Sequence, residues 1–132
     1  MISEMGLGSG GSLGAATKPK GPLLRAAIAA FDVDALAFAA MSERFAAMWK
    51  AGEAHPASPS MMKYAGTELN KRRNELMMAA GGSDALEWES ERSRKGATPR
   101  SWLRSKGNSI EGGTSEIQLN IVAKHILRLP GA

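Results

Sequence analysis

Apolar residues return along most of this chain at helical intervals. Between Pro22 and about Gly52, Leu24, Ile28, Phe31, Ala35, Phe38, Phe45 and Trp49 recur at alternating steps of three and four, with one gap at Ser42. Arg25, Asp32, Glu43 and Lys50 track the opposite side, so the spacing predicts an amphipathic helix of roughly eight turns. Pro22 suits its first turn and Gly52 its stop. Its length exceeds the needs of one small domain, and its alanine-rich body permits close approach, which predicts several packing partners.

The next stretch, GEAHPASPS, reads as a loop in which Ser58 caps a second helix and Pro59 takes its first position. That helix runs to about Ala80, with Met62, Ala65, Leu69, Leu76 and Ala80 on one stripe and Lys63, Asn70, Lys71 and Asn74 elsewhere. Arg73 falls on the stripe, where an arginine either meets a buried carboxylate or snorkels outward. Gly81 and Gly82 end the helix. Residues 83–97 predict a polar loop with a short helical piece around Ala85–Glu91, and Thr98 with Pro99 predicts a third helix through about Lys106. In the last helix Ser115 and Gln118 make a capping box, Ile117, Ile121, Val122, Ile126 and Leu129 form the apolar face, and Pro130 with Gly131 closes it. Residues 1–21 contain six glycines and no apolar period, which predicts a flexible segment.

Composition narrows the class. Aromatic residues make up only 5% of the chain while Ala and Met abound, a balance that favours packed helices over a β-sandwich. The absence of cysteine excludes disulfides, a thiol nucleophile and thiolate metal ligands, and two separated histidines make a poor metal site. The longest apolar runs are broken by Asp32, Asp34, Glu43 and Arg44, and residues 1–22 show no signal pattern, so no membrane span and a cytoplasmic location are expected. GLGSGG fits GxGxxG by letter at Gly6, Gly8 and Gly11, but no strand delivers the chain to it, and low-complexity glycine is the reading taken.

The net charge of +4 is unevenly placed: Arg92, Arg94, Lys95, Arg100, Arg104 and Lys106 crowd into fifteen positions with Trp102 among them. A nucleic-acid or anion site is the sharper reading; a solvated connector anchored by Trp102 and Leu103 is the one adopted, with no nucleic-acid partner.

The richest chemistry lies in SIEGGTSEIQLNIVAKHILRLPG, residues 109–131. Gly112 and Gly113 permit positive φ and close backbone approach, and the unsatisfied amides of the helix that follows carry partial positive charge. Such an end can hold a phosphate or diphosphate, with Thr114 and Ser115 adding hydroxyls. The same residues also read simply as a loop and a capped helix. Glu111 is a general-base candidate only where burial raises its pKa.

GGTSEIQLNIVAKHILRLPG resembles the carboxyl end of the acyl-CoA dehydrogenase family, flavoenzymes that desaturate acyl-CoA thioesters. SMMKYAGTELNKRRNEL is similar to the family's penultimate long helix, and LLRAAIAAFDVDALAFAAMSERFAAMWKAG to the helix before it. The resemblance runs from Pro22 to the end. It implies an all-α, antiparallel bundle like the family's C-terminal four-helix domain with its first helix missing, residues 22–132 forming that domain behind the segment 1–21. It implies FAD as cofactor, held with the missing domains or a partner subunit, an acyl-CoA substrate for the complete enzyme, and a homo-oligomer or other acyl-CoA dehydrogenase subunits as partners.

Carried over position by position, Gly112, Gly113, Thr114, Ser115 and Glu116 are the expected FAD-binding residues, with no metal. Many members have glutamine where this chain has Glu116. Many also carry the catalytic glutamate where this chain has Gly112, leaving Glu111, one residue earlier, as the candidate base; other branches take the base from the bundle's first helix. Gly81 and Gly82 resemble a pair that approaches a neighbouring subunit's flavin after a glutamine, whose place Met78 holds. The isolated chain is expected to be inactive and to self-associate through Phe45, Trp49, Met61, Met62, Met77 and Met78. The alternative is a non-catalytic helical association module.

Overall fold

The computed structural model describes residues 21–131. Apart from Gly21, the expected flexible segment 1–21 lies outside them. All regular structure among the described residues is helical: α1 (Pro22–Lys50), α2 (Ser58–Gly81), α3 (Ala97–Gly107) and α4 (Ser115–Ile121), with short 3-10 turns at Gly82–Leu86 and Glu91–Ser93. None of these helices is long and apolar enough to cross a membrane.

In α1 the predicted stripe is the inner one. Leu24, Ile28, Phe31, Ala35, Phe38 and Phe45 are all partly buried, and so is Ser42 in the gap. Ser42 is tolerated there because its Oγ donates to the Phe38 carbonyl at 2.8 Å, so its polar group is satisfied within the helix. Trp49 is the exception at 60% exposed: it lies level with the connecting loop, beyond the reach of α2. The helix stops where Gly52 adopts φ 73, its N–H donating to the Trp49 carbonyl (3.1 Å) and the Glu53 N–H to the Met48 carbonyl (2.9 Å), the bond pair of a Schellman end.

α2 returns antiparallel to α1. Phe38 meets Gly66, where an added Cβ would lie 3.0 Å from the Phe38 ring, and farther back along α1 Arg72 pairs with Asp34 and lies 6.0 Å over Phe31. Against the expectation of several partners, α1 packs substantially on α2 alone, whereas α2 also takes α3, α4 and the Gly82–Leu86 turn. From Ser60 to Met78 every residue but Glu75 is at least partly buried. The polar residues placed off the apolar stripe are therefore at least partly covered. Asn74 is buried, and its Nδ2 donates to the Asn70 carbonyl at 2.8 Å and to Asn70 Oδ1 at 3.2 Å. Among the described residues the buried apolar ones are Ala57, Ala85 and Pro99, the other buried positions being Thr67, Asn74, Ser93, Gly96, Ser105 and Gln118.

Three helix starts differ by a residue or so from their sequence signals. Ser58 is already inside α2 behind an uncapped Ala57, and α3 begins at Ala97 behind Gly96, with Thr98 not acting as a cap and Pro99 buried within its first turn. The helical piece expected at Ala85–Glu91 is split into two turns on either side of that span. Between them and α3, Arg94, Lys95 and Gly96 all take positive φ (58, 55 and 75). This tight left-handed run is held from inside by fully buried Ser93, whose Oγ donates to the Ser90 carbonyl (2.8 Å) and accepts from the Gly96 N–H (3.0 Å).

The basic run is thus an ordered connector in which every cation but Arg94 is engaged by the chain's own groups. Arg92 holds Glu87, Lys95 holds Glu91, Arg104 holds Glu111 and Lys106 holds Glu75, while Arg100 stacks 4.4 Å over Trp88. Trp102 is partly buried, but Leu103, expected to anchor the segment, is 51% exposed.

Replacement of Gly96 tests this connector. An alanine there meets the Trp88 carbonyl oxygen at 2.0 Å and keeps an unfavourable φ of 75. Gly96→Ala is expected to destabilise the chain by more than about 2 kcal/mol in urea unfolding.

Candidate functional site

The segment between α3 and α4 is a sequence of tight turns that places the start of α4 against α2. Gly112 and Gly113 take φ 63 and 98, as the paired glycine predicted. Each carbonyl is tied down: Gln118 Nε2 donates to that of Gly112 at 2.8 Å, and Lys63 Nζ to that of Gly113 at 2.7 Å. A Cβ on Gly113 would lie 2.7 Å from Gln118 Nε2 and displace that amide from the Gly112 carbonyl, whereas a Cβ on Gly112 meets nothing.

The cap of α4 is Thr114, one residue before the expected Ser115: Thr114 Oγ1 accepts from the Ile117 N–H at 3.3 Å. The capping box is absent because Gln118 turns inward, buried, to the Gly112 carbonyl. Ser115 is the first helical residue; its N–H donates to the Ser109 carbonyl at 3.0 Å, and its Oγ is enclosed without a hydrogen-bond partner. The inner face shifts with the cap. Ile121, Val122 and Ile126 are partly buried as expected, but Ile117 and Leu129 are exposed. The regular α-helix gives way to a π turn over Val122–Ile126, and the chain leaves through Arg128 at φ 52, short of Pro130.

The electrostatics of this corner favour negative charge. Glu116, exposed at the first turn of α4, sits below the usual carboxylate range. Its carboxylate accepts a hydrogen bond from its own backbone N–H and one from the Thr114 hydroxyl, with Lys71 and Lys63 adding favourable charge. The helix start therefore already holds an anion, supplied by the chain.

Glu111 is exposed, and its carboxylate is bound to Arg104 at 2.6 Å and to Asn108 Nδ2 at 3.3 Å. The hydrogen bond from Arg104 holds it below the usual range, followed by the charge of Arg104, Asn108 and Lys63. This setting is the reverse of the buried, raised-pKa one that suits a base near neutral pH. A polar chain joins the corner to α2: Asn74 donates to Asn70, Asn70 Nδ2 donates to Asn108 Oδ1 at 2.8 Å, and Asn108 meets Glu111.

Lys63, Asn70, Lys71, Arg104 and Asn108 are the site residues that sequence reading missed. The spacing assigned Lys63, Asn70 and Lys71 only to a side away from the apolar stripe, and nothing local links Lys63 to a glycine fifty residues on. Gly81 and Gly82 do not join them: eighteen residues separate Lys63 from Gly81 on α2, about 27 Å along a helix. An open groove of about 700 Å³ also lies elsewhere, between α1, α2 and Lys106 of α3. Its floor is apolar (Phe38, Met41, Ala65, Leu69), and its rim cations Lys71, Arg72 and Lys106 are already bound to Glu68, Asp34 and Glu75.

Comparison with known proteins gives one family match. The family described as acyl-CoA dehydrogenase, C-terminal domain, matches residues 16–127. No curated protein and no solved structure matches the chain.

Two outcomes test the corner. Gly113→Ala is expected to cost roughly 2 kcal/mol or more and Gly112→Ala only about 1 kcal/mol, measured by denaturant unfolding. Because Glu111 and Glu116 titrate below their unfolded value, their interactions are complete above the ordinary glutamate range and are lost as pH falls through the lowered folded values. Arg104→Ala should bring the Glu111 carboxyl back up toward its ordinary value while leaving Glu116 low, as read by carboxyl carbon chemical shifts across a pH titration.

Proposed function

The chain belongs to the acyl-CoA dehydrogenase family, as its C-terminal domain, and we propose that it works as the C-terminal part of an FAD-dependent acyl-CoA dehydrogenase, inactive by itself. The observation that carries this reading is the start of α4. A helix end that holds its own Glu116 carboxylate at lowered pKa, beside Lys63 and Lys71, is built for an anion, and the diphosphate of a flavin dinucleotide is one. The amides and the Thr114 hydroxyl would face that diphosphate once Glu116 swings to solvent. Gly112 and Gly113, fixed by Gln118 and Lys63, hold the turn that aims them.

FAD, when bound, supplies the hydride acceptor for α,β-desaturation of an acyl-CoA thioester. The chain's own contribution to proton abstraction is Glu111, and that role requires the Arg104 contact to break and neighbouring domains to cover the carboxylate, so that its pKa rises. The complete enzyme is an oligomer operating in the cytoplasm. A second reading, a non-catalytic association module derived from the family, is favoured by one fact: among the described residues large apolar side chains are exposed on several elements, including Leu23, Val33, Leu36, Leu86, Ile110 and Leu127.

Pyrophosphate titration of the purified chain, followed by amide chemical shifts, separates these readings. The flavin reading expects saturable shifts confined to Gly113–Ile117 and roughly tenfold tighter binding by Glu116→Gln, which removes the competing carboxylate. Shifts that are absent, or that lie in the basic run instead, would overturn it. With FAD and acyl-CoA together, the chain alone is expected to give no flavin bleaching.

A further inference from the structure

The polar chain that ends on Glu111 has a direction. Asn74, 5% exposed, donates through Nδ2 to the Asn70 carbonyl at 2.8 Å and to Asn70 Oδ1 at 3.2 Å. Asn70 Nδ2 donates to Asn108 Oδ1 at 2.8 Å, and Asn108 Nδ2 to Glu111 Oε2 at 3.3 Å. Asn70 and Asn108 thus each accept at the side-chain oxygen from the amide deeper in the packing of α2 and donate at nitrogen to the next group outward. A primary amide that accepts at oxygen becomes a better donor at nitrogen, so bonds arranged head to tail strengthen one another. The donor end of this series meets a carboxylate, the acceptor that gains most from it.

Satisfying Asn74 does not demand the arrangement. Its amide is already served by the backbone carbonyl of Asn70, which any residue at that position would supply; the Asn70 side chain is needed only for the outward links. The ion pair does not duplicate the series either. The side chains of Arg104 and Glu111 are 64% and 52% exposed, so water screens their contact, whereas Asn70 and Asn108 are partly buried. The charged groups that bear on Glu111 are Arg104 of α3 and Lys63 of α2, and the Lys63 ammonium is bonded to the Gly113 carbonyl.

Proton abstraction by Glu111 requires Arg104 to let go, and among the described residues Asn108 is then the one side chain still bonded to the carboxylate. We propose that Asn70 and Asn74 are positioning residues for Glu111: acting through Asn108, they hold and aim its carboxylate by a series of amides polarised toward it. The relay stands on this geometry; only its use in proton abstraction rests on the acyl-CoA dehydrogenase reading.

Carboxyl-carbon and side-chain amide shifts of the purified chain, followed across a pH titration, test it. The Asn108, Asn70 and Asn74 side-chain resonances are expected to titrate with the Glu111 midpoint, by amounts that fall off inward, and to stop doing so in Glu111→Gln, a change at an exposed position. Asn70→Ala should cut off Asn74 while leaving Asn108 responsive, and should raise the Glu111 midpoint less than Asn108→Ala does, with circular dichroism unchanged in both. In Arg104→Ala the three amides should still follow Glu111. Resonances that ignore the Glu111 midpoint, or that move equally in Glu111→Gln, would overturn the proposal. So would an Asn74 response that survives Asn70→Ala, or a Glu111 midpoint unmoved by Asn108→Ala. None of these outcomes depends on pyrophosphate binding at the α4 corner, so the relay and the flavin reading fail separately.

Discussion

The packing of α1, α3 and α4 onto α2 is the constraint from which the rest of this structure follows. A helix surrounded on one side by α1 and on the other by α3, α4 and the connecting turns cannot keep a water-facing side, so polar groups are drawn inside with apolar ones. Enclosed amides cost free energy unless bonded. The Asn74–Asn70–Asn108 chain meets that requirement and at the same time fixes the turn that carries Glu111. The α4 corner is therefore positioned by α2 through polar contacts. Lys63, reaching the Gly113 carbonyl from the same helix, completes the attachment.

Charge is distributed to the same end. Of the cations crowded into residues 92–106, all but Arg94 hold the chain's own carboxylates or lie on an indole, which leaves the run largely neutralised. At α4 the anion held is the chain's own Glu116, favoured by oriented amides and by the charges of Lys71 and Lys63. On the proposed flavin reading an external phosphate group would replace it, at the cost of the bonds from Thr114 and its own amide.

Buried apolar residues are scarce. With only Ala57, Ala85 and Pro99 buried among the apolar residues described, hydrophobic stabilisation comes from many partly covered side chains, and more of it is gained by covering them further.

How much of this was legible beforehand can be judged element by element. The helical class, the extents of α1 and α2, the inner stripe of α1 and the positive φ of Gly112 and Gly113 are local consequences of residue type and spacing, and the chain alone determined them. The start of α4 was not, although Ser115 and Gln118 have the right letters: Gln118 finds a better acceptor in the Gly112 carbonyl, and the cap passes to Thr114. The surroundings of Glu111 were equally out of reach, since Arg104 and Asn108 come to it only when the turns after α3 close. Burial of Asn74 and the reach of Lys63 to Gly113 depend on which faces of α2 meet which neighbours. Periodicity states that a helix has a polar side; only the packing of the whole chain decides whether that side faces water or another helix, because a single strip of sequence carries no record of what lies across from it.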